Sequence, residues 1–215
     1  MAKATPETTS AADFLPARRS YASLVKAASH CEGCPLYKRA TQTVFGEGPK
    51  TARAILIGEQ PGDEEDLAGH PFVGPAGRYL DKCLVEAGID RTDVYVTNAV
   101  KHFKWTPRGK RRLHGKPNSR ELAACRPWLL AEIELIEPEL LVLLGASAAQ
   151  SLLGSKFRVT RQRGQLLKVD YAPWALATYH PSAILRAPDE ANRARMKAEF
   201  TADLKIVAKQ LKRAS

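Results

Sequence analysis

The chain has 215 residues, 44% of them hydrophobic and 26% charged, and its 33 Lys and Arg outnumber 23 Asp and Glu to leave a net charge of +10. No apolar run approaches the roughly 18–20 residues that cross a bilayer, and the polar N-terminus lacks the apolar stretch of a secretory signal, so a membrane helix and an export signal are excluded and a cytoplasmic protein is expected. The length suits one sizeable domain, and the surplus of positive charge points to a polyanionic partner, with nucleic acid foremost.

In chain order, residues 1–18 are rich in Ala, Thr, Ser and Pro without periodicity and are expected to form an unstructured tail, leaving 19–215 as the domain. A short helix from about Tyr21 leads into Cys31. "ARAILIGE", Ala52 to Glu59, is an apolar run stopped by Gly and Pro and predicts a buried strand. "GRYLDKCLVEAGI" predicts a helix with Leu80, Cys83, Leu84 and Ala87 on one face and Gly88 as its stop. "VYVTNAV" is a second buried strand. Asn118 and Glu121 have capping-box spacing and open a helix through Leu122, Cys125, Leu129 and Ile133. "ELLVLLG" predicts a third strand and "ASAAQSLLG" a short helix. "GQLLKV" and "WALATYH" read as further strands, and the last helix runs from about Glu190 to Arg213 along Phe200, Leu204, Val207 and Leu211. Strands alternating with helices imply a single α/β domain with a mostly parallel sheet covered on both faces.

In such a sheet ligands bind beyond the carboxyl ends of the strands. The segments that follow the strands are "GEQPGDEED", then "NAVKH" with a basic loop, and finally "HPSAIL"; these should converge at one mouth. Lys101 to Arg120 carries eight positive charges and no acidic residue, and Lys156 to Lys168 carries five more. Clustered charge of this kind is the electrostatic footprint of a nucleic-acid surface. The first cluster contains "GKRRLH", which ends in His114, a residue of little use to phosphate at neutral pH but able to act as a nucleophile.

Four cysteines are few for a disulfide framework, and Cys31-x-x-Cys34 in "CEGCPLY" points to metal, cluster or redox chemistry in a reducing compartment. With Cys125 at the head of "CRPWL", three thiolates begin a site for zinc or an iron–sulfur cluster. The fourth ligand is either His102 or Cys83, the latter having the helical spacing of a packed core residue. Zinc and iron–sulfur are not separated by these residues.

"GEQPGDEEDLAGHPFVGPAGRYLD", "VTNAVK", "CRPWL", "VLLGASA" and "HPSAIL" together resemble the uracil-DNA glycosylase superfamily, and within it the iron–sulfur family 4 enzymes, in order from Cys31 to the last helix. Gln60, where family 4 has alanine, and the basic loop ending in histidine resemble the X-type branch (UdgX). The resemblance implies a central, mostly parallel four-stranded sheet flanked by helices, with a [4Fe–4S] cluster held by Cys31, Cys34, His102 and Cys125, and Cys83 left to packing. It implies a monomer acting on uracil-containing DNA, single-stranded or duplex, at the nucleoid and away from membranes.

The same resemblance distributes the roles. His114 would attack sugar C1′ and remain bonded to it, with Glu59 accepting the other ring proton and His180 stabilising the departing base. Phe72 would stack on the extruded uracil, and Asn98 suits uracil because its amide offers a donor to O4 and an acceptor to N3–H. Gln60 and Gly62 would add backbone contacts, and the Gln60 side chain would support the basic loop by hydrogen bonding to a partner the sequence does not name. Glu65 would screen the C5 side, with Asp63 beside it, although Asp63 and Asp66 equally suit capping of the turn. Lys110, Arg111 and Arg112 would grip phosphates or the body of the loop, with Arg112 foremost as a structural residue, and Ser182 would contact a phosphate. The competing expectations are a conventional multi-turnover family 4 enzyme and a non-catalytic iron–sulfur uracil-DNA-binding module; a nucleotide site at "GEQPG" is disfavoured because no Walker lysine follows.

Overall fold

A computed structural model of the chain describes residues 9–213. Its strands are β1 (Ala54–Gly58), β2 (Val94–Asn98), β3 (Trp105–Arg108), β4 (Arg111–His114), β5 (Leu140–Leu144), β6 (Leu166–Val169) and β7 (Ala172–Thr178). The helices are α1 (Tyr21–Ala28), α2 (Asp63–Ala68), α3 (Pro75–Ala87), α4 (Ser119–Ile136), α5 (Ala146–Leu153), α6 (Val159–Gln162), α7 (Pro181–Leu185) and α8 (Glu190–Arg213). Among the described residues no helix is long and apolar enough to cross a membrane.

The main sheet runs β2-β1-β5-β7-β6. β1, β2 and β5 are buried along their whole length, as strands of a parallel sheet covered on both faces must be. Leu56, Val96, Val142 and Leu176 pack against Leu80 and Leu84 of α3 and Phe200, Leu204 and Val207 of α8. Ile55, Ile57, Leu141 and Leu143 face the other way, onto Leu129 and Ile133 of α4 and Ala148 and Ala149 of α5. A third cluster gathers α1, the Cys31–Leu36 segment and the outer side of α4 around Trp128. The parallel registers bring Gly58 level with Asn98 and Leu144 level with Thr178, so the residues after these positions meet at one end of the sheet.

Two expectations on architecture need correction. The sheet has five strands rather than four, and β6 pairs antiparallel with β7. Two residues, Asp170 and Tyr171, separate these strands, too few for the crossover a parallel pair needs, so β6 folds back as the edge. The expected unstructured tail over 1–18 gives way from Ser10 onward. Ser10 caps a helical turn, Ala11–Phe14, and Ala11 is buried in the third cluster; residues 1–8 of that expectation lie outside the described residues.

The basic segment is a ribbon rather than a loop. β3 and β4 pair antiparallel around a two-residue Gly109–Lys110 turn, with Gly109 at a φ of 59°. Glycine first at positive φ suits the primed turns that match strand twist. Its charge is also smaller at the surface than the sequence implies, because Lys101 is buried and ion-paired with Glu132 at 2.5 Å and Lys104 pairs with Glu121 at 2.8 Å.

Candidate active site

A cavity of about 430 Å³ opens at the carboxyl ends of β1, β2 and β7, lined by Gln60, Phe72, Asn98, His114, His180 and Ser182 among others. Its floor depends on close approach. A methyl group at Gly58 would stand 2.3 Å from Asn98 Oδ1 and 2.8 Å from Phe72 Cζ, so glycine is required there. Phe72 sits at a φ of 58°, a left-handed conformation that costs a bulky residue about 1–2 kcal/mol. Gly77 allows it: any Cβ there would lie 1.6 Å from the Phe72 carbonyl oxygen. The Phe72 ring lies 6.2 Å from that of His180 at 28°, leaving an aromatic wall beside Asn98.

Behind Asn98 is a buried ionic network that sequence reading missed. Lys101 Nζ donates to the Asn98 carbonyl oxygen (2.7 Å) and Thr97 Oγ1 (2.6 Å) as well as to Glu132. Glu132 in turn accepts from Tyr95 and from the Gly46 N–H, both at 2.9 Å. A buried ion pair with its remaining donors and acceptors satisfied fixes local backbone. The signal was present in α4, where a carboxylate interrupts an otherwise apolar face.

His180 caps α7, and its Nδ1 accepts the Ser182 N–H at 3.2 Å. The proton of the neutral ring is therefore on Nε2. Burial above all, then Arg186 and His114, pushes its pKa down to about 4, so the ring is a neutral donor at physiological pH. Ser182 Oγ is engaged by His180 Nδ1 at 2.7 Å and by Arg186 at 3.1 Å, so the hydroxyl expected to hold a phosphate here orients the histidine.

His114 ends β4 at the rim of the cavity, with its side chain 45% exposed. Gln60 supplies the partner that sequence alone did not. Its Oε1 accepts the Lys104 N–H at 3.1 Å, which fixes the amide's orientation, and its Nε2 lies 3.0 Å from the Gly115 carbonyl and 2.9 Å from His114 Nε2. An amide nitrogen can only donate, so His114 Nε2 carries a lone pair and the proton is on Nδ1. Burial lowers the His114 pKa below its ordinary value, with Glu59 opposing that shift and Arg186 adding to it.

Glu59 differs from expectation. Its carboxylate is 3.9 Å from His114 Nε2, too far for the orienting hydrogen bond, and it accepts instead from the Ser147 hydroxyl at the start of α5. It is anchored there as a negative charge facing the imidazole. Ser147 was missed in the sequence, although "GASA" stands directly after β5.

The acidic segment also serves the frame. Glu65 Oε2 accepts from Gly62 N–H (3.0 Å) and Oε1 from Gly74 N–H (2.7 Å), clamping two walls of the cavity together rather than screening it with a free carboxylate. Arg112, expected to grip phosphates or the body of the loop and singled out as structural, has its charge committed to Asp63 (2.5 Å) and buried Asp66 (2.6 Å) while its guanidinium lies over Phe103 and Trp105. It fastens the ribbon to α2. Lys110 and Arg111 remain exposed at the ribbon tip.

Cys31, Cys34 and Cys125 are free, buried and in one cluster, close enough that Cys31 and Cys34 both influence the Cys125 thiol. The Lys101 N–H donates to Cys125 Sγ at 3.3 Å. His102 Nε2 lies 2.9 Å from Thr43 Oγ1, whose own proton goes to the Ala28 carbonyl. His102 therefore donates from Nε2 and keeps a lone pair on Nδ1, the arrangement of a ligand oriented by an outer hydrogen bond. The indole N–H of Trp128, in the same cluster, has no hydrogen-bond partner. Among the described residues, no group of three or more His, Cys, Asp or Glu is arranged to hold a metal ion. Three buried thiols and an imidazole with its lone pair on Nδ1 are donor chemistry that suits a thiolate-held metal or cluster. Cys83 is on α3 in the main core, apart from these.

Residues 45–205 match the family model described as the uracil DNA glycosylase superfamily. The chain is 42% identical over 157 residues to a Type-4 uracil-DNA glycosylase of Thermotoga maritima, covering 73% of this chain and 78% of that protein. It is 35% identical to one of Pyrobaculum aerophilum over 81% of this chain and 86% of that protein, and 34% identical to one of Archaeoglobus fulgidus over 86% and 89%.

Proposed function

The chain belongs to the uracil DNA glycosylase superfamily, and from that premise we propose that it excises uracil from DNA and then traps itself on the product through His114, as a member of the X-type branch. The observation that carries the trapping step is the neutral His114 ring, its Nε2 lone pair held by Gln60 at the rim of the cavity and facing the Glu59 carboxylate.

The deoxyuridine leaves the base stack at a cost of a few kcal/mol and enters the cavity against Phe72. Asn98 pairs with O4 and N3–H; cytosine presents the opposite pattern and would leave buried groups unpaired at about 1–3 kcal/mol each. The C1′–N1 bond then breaks, and its electron pair leaves with the base. His180, donating from Nε2, stabilises the charge on O2 as an oxyanion hole does. The His114 Nε2 lone pair, released from the Gln60 hydrogen bond, forms a new bond to the electron-poor C1′, aided by high effective concentration and the nearby Glu59 charge. Loss of the Nδ1 proton neutralises the ring, and protonation neutralises the uracil anion. The resulting C–N bond is not an imine and has a poor leaving group, so turnover stops after one event.

Cys31, Cys34, His102 and Cys125 would hold a [4Fe–4S] cluster, which when bound would tie the 31–34 segment to α4 and the end of β2. A brown protein whose colour and iron content fall together on mutating Cys125 checks this assignment. The protein would act as a monomer in the cytoplasm, on single-stranded DNA or duplex.

A conventional multi-turnover enzyme is the second reading, favoured by the names of the relatives and by the missing Glu59–His114 hydrogen bond. Incubation with uracil-containing single-stranded DNA followed by boiling in SDS separates the readings. A shifted band that survives boiling supports trapping, excision without a shift supports turnover, and neither leaves a binding module.

A further inference from the structure

The second basic cluster lies in a stretch, residues 140–169, that contains no Asp or Glu. Within it Phe157 and Val159 are buried in the core and alternate with exposed Lys156, Arg158 and Arg161. The segment is braced: Gln150 Nε2 donates to the Phe157 carbonyl at 3.1 Å, and Gln162 Oε1 accepts the Arg158 N–H at 2.9 Å. The Arg158 guanidinium is steadied by the Ser155 carbonyl (2.7 Å) and the Phe157 carbonyl (3.1 Å), with no carboxylate to neutralise it. Neither Lys156 nor Arg161 has an ion-pair partner among the described residues. Arg163 contrasts with them, being paired with Asp203 at 3.0 Å.

The position of this segment gives the charge a use. The Gly164 N–H donates to the Ala177 carbonyl at 2.9 Å, and Arg163 lies 5.2 Å above the Tyr179 ring. The C-terminal end of the segment, at Arg163 and Gly164, thus abuts the end of β7, close to His180. The β3–β4 ribbon, which follows β2, is tied to Gln60 after β1 and, through Arg112, to Asp63 and Asp66. Two strand spacings of about 4.8 Å separate β1 from β7, or roughly 10 Å, so a DNA strand crossing the mouth can meet both sides.

We propose that Lys156, Arg158 and Arg161 form a second phosphate-binding arm, which holds the DNA strand on the β7 side of the cavity while Arg108, Lys110 and Arg111 hold it on the ribbon side. This rests on the DNA-acting reading above. Anchored cations with no carboxylate partner lose little conformational freedom when they meet phosphates, and each phosphate neutralised releases condensed counterions.

The test compares the parent protein with K156Q/R158Q/R161Q and with K205Q/K209Q/K212Q, an equal charge loss on exposed positions of α8. Binding of a long uracil-free single-stranded oligonucleotide is measured across a salt series, so the result is independent of excision. The first triple variant should make the slope of log affinity against log salt shallower by about 2, at roughly 0.7 per phosphate contact, without lowering the melting temperature. The α8 variant should leave the slope unchanged. With the uracil-free DNA trimmed to three nucleotides, the difference between parent and first triple variant should vanish. An unchanged slope, or equal losses in both triple variants, overturns the arm. A shallower slope in a protein that excises nothing keeps the arm and overturns the proposed activity.

Discussion

The cavity floor and the β3–β4 ribbon meet at His114 but are held in place by different means. Asn98 ends the buried strand β2, Phe72 is locked by Gly58 and Gly77, and His180 caps a helix directly after β7. Although β2 is an edge strand of the sheet, it is buried along its whole length, so each of the three inherits its position from a buried framework. The ribbon is two four-residue strands, mostly exposed, of a kind that is marginal by itself in water. Gln60 and Arg112 fasten it to the domain. Base recognition and covalent capture are therefore built on separate supports and should fail separately.

The largest expected effect is at His114. Substitution His114→Ser should remove the boil-resistant band entirely while uracil release continues, read by gel shift and by mass spectrometry of the freed base. Asn98→Ala should instead depress release and capture together, on the order of a hundredfold, because a buried donor and acceptor are left unpaired. Loss of capture alone in that variant would break the comparison.

Arg112→Ala comes next. It leaves Asp66, buried and then holding only its contacts to the Thr41 N–H, without its cation. Breaking a buried pair costs about 3–5 kcal/mol, so melting should fall by roughly 6–10 °C for a chain of this size. Capture should fall about tenfold more than release.

Arg112 also marks how far the sequence could be read. Within "GKRRLH" it is singled out from Lys110 and Arg111 as a structural residue, but the sequence could not name its partners, Asp63 and Asp66, which lie more than forty residues away. The same holds for Ser147 with Glu59 and for Lys101 with Glu132, pairs that only the assembled sheet brings together. Local signals were read well: the Asn118–Glu121 capping box opens α4, Gly88 stops α3, and the final helix spans Glu190–Arg213. The ribbon was not legible because Pro107 and its charged neighbours lack the alternating apolar pattern of a strand. The four-strand expectation came from the family resemblance, whereas the two-residue link at Asp170–Tyr171 adds an antiparallel edge.

A subtler separation is in pH. The reactive His114 ring is neutral, and its folded pKa lies below the ordinary value, so trapping should be flat at neutral pH and fall only as acid protonates Nε2. The Glu59 charge raises that pKa and Arg186 lowers it. Glu59→Gln should therefore move the acid limb to lower pH and Arg186→Gln to higher pH, in single-turnover rates measured across a pH series. Shifts in the same direction would contradict the electrostatic assignment. The smallest effect belongs to the ribbon tip, where Lys110→Gln or Arg111→Gln should weaken DNA binding a few-fold and make its salt slope shallower by about 0.7.

Peptide mapping of protein boiled after reaction with uracil-containing DNA tests the central claim most directly. The nucleotide remnant should be on the peptide bearing His114, at an imidazole nitrogen, in place of one ring proton. A remnant on another side chain, or unmodified peptides alongside free abasic DNA, would contradict capture by this histidine.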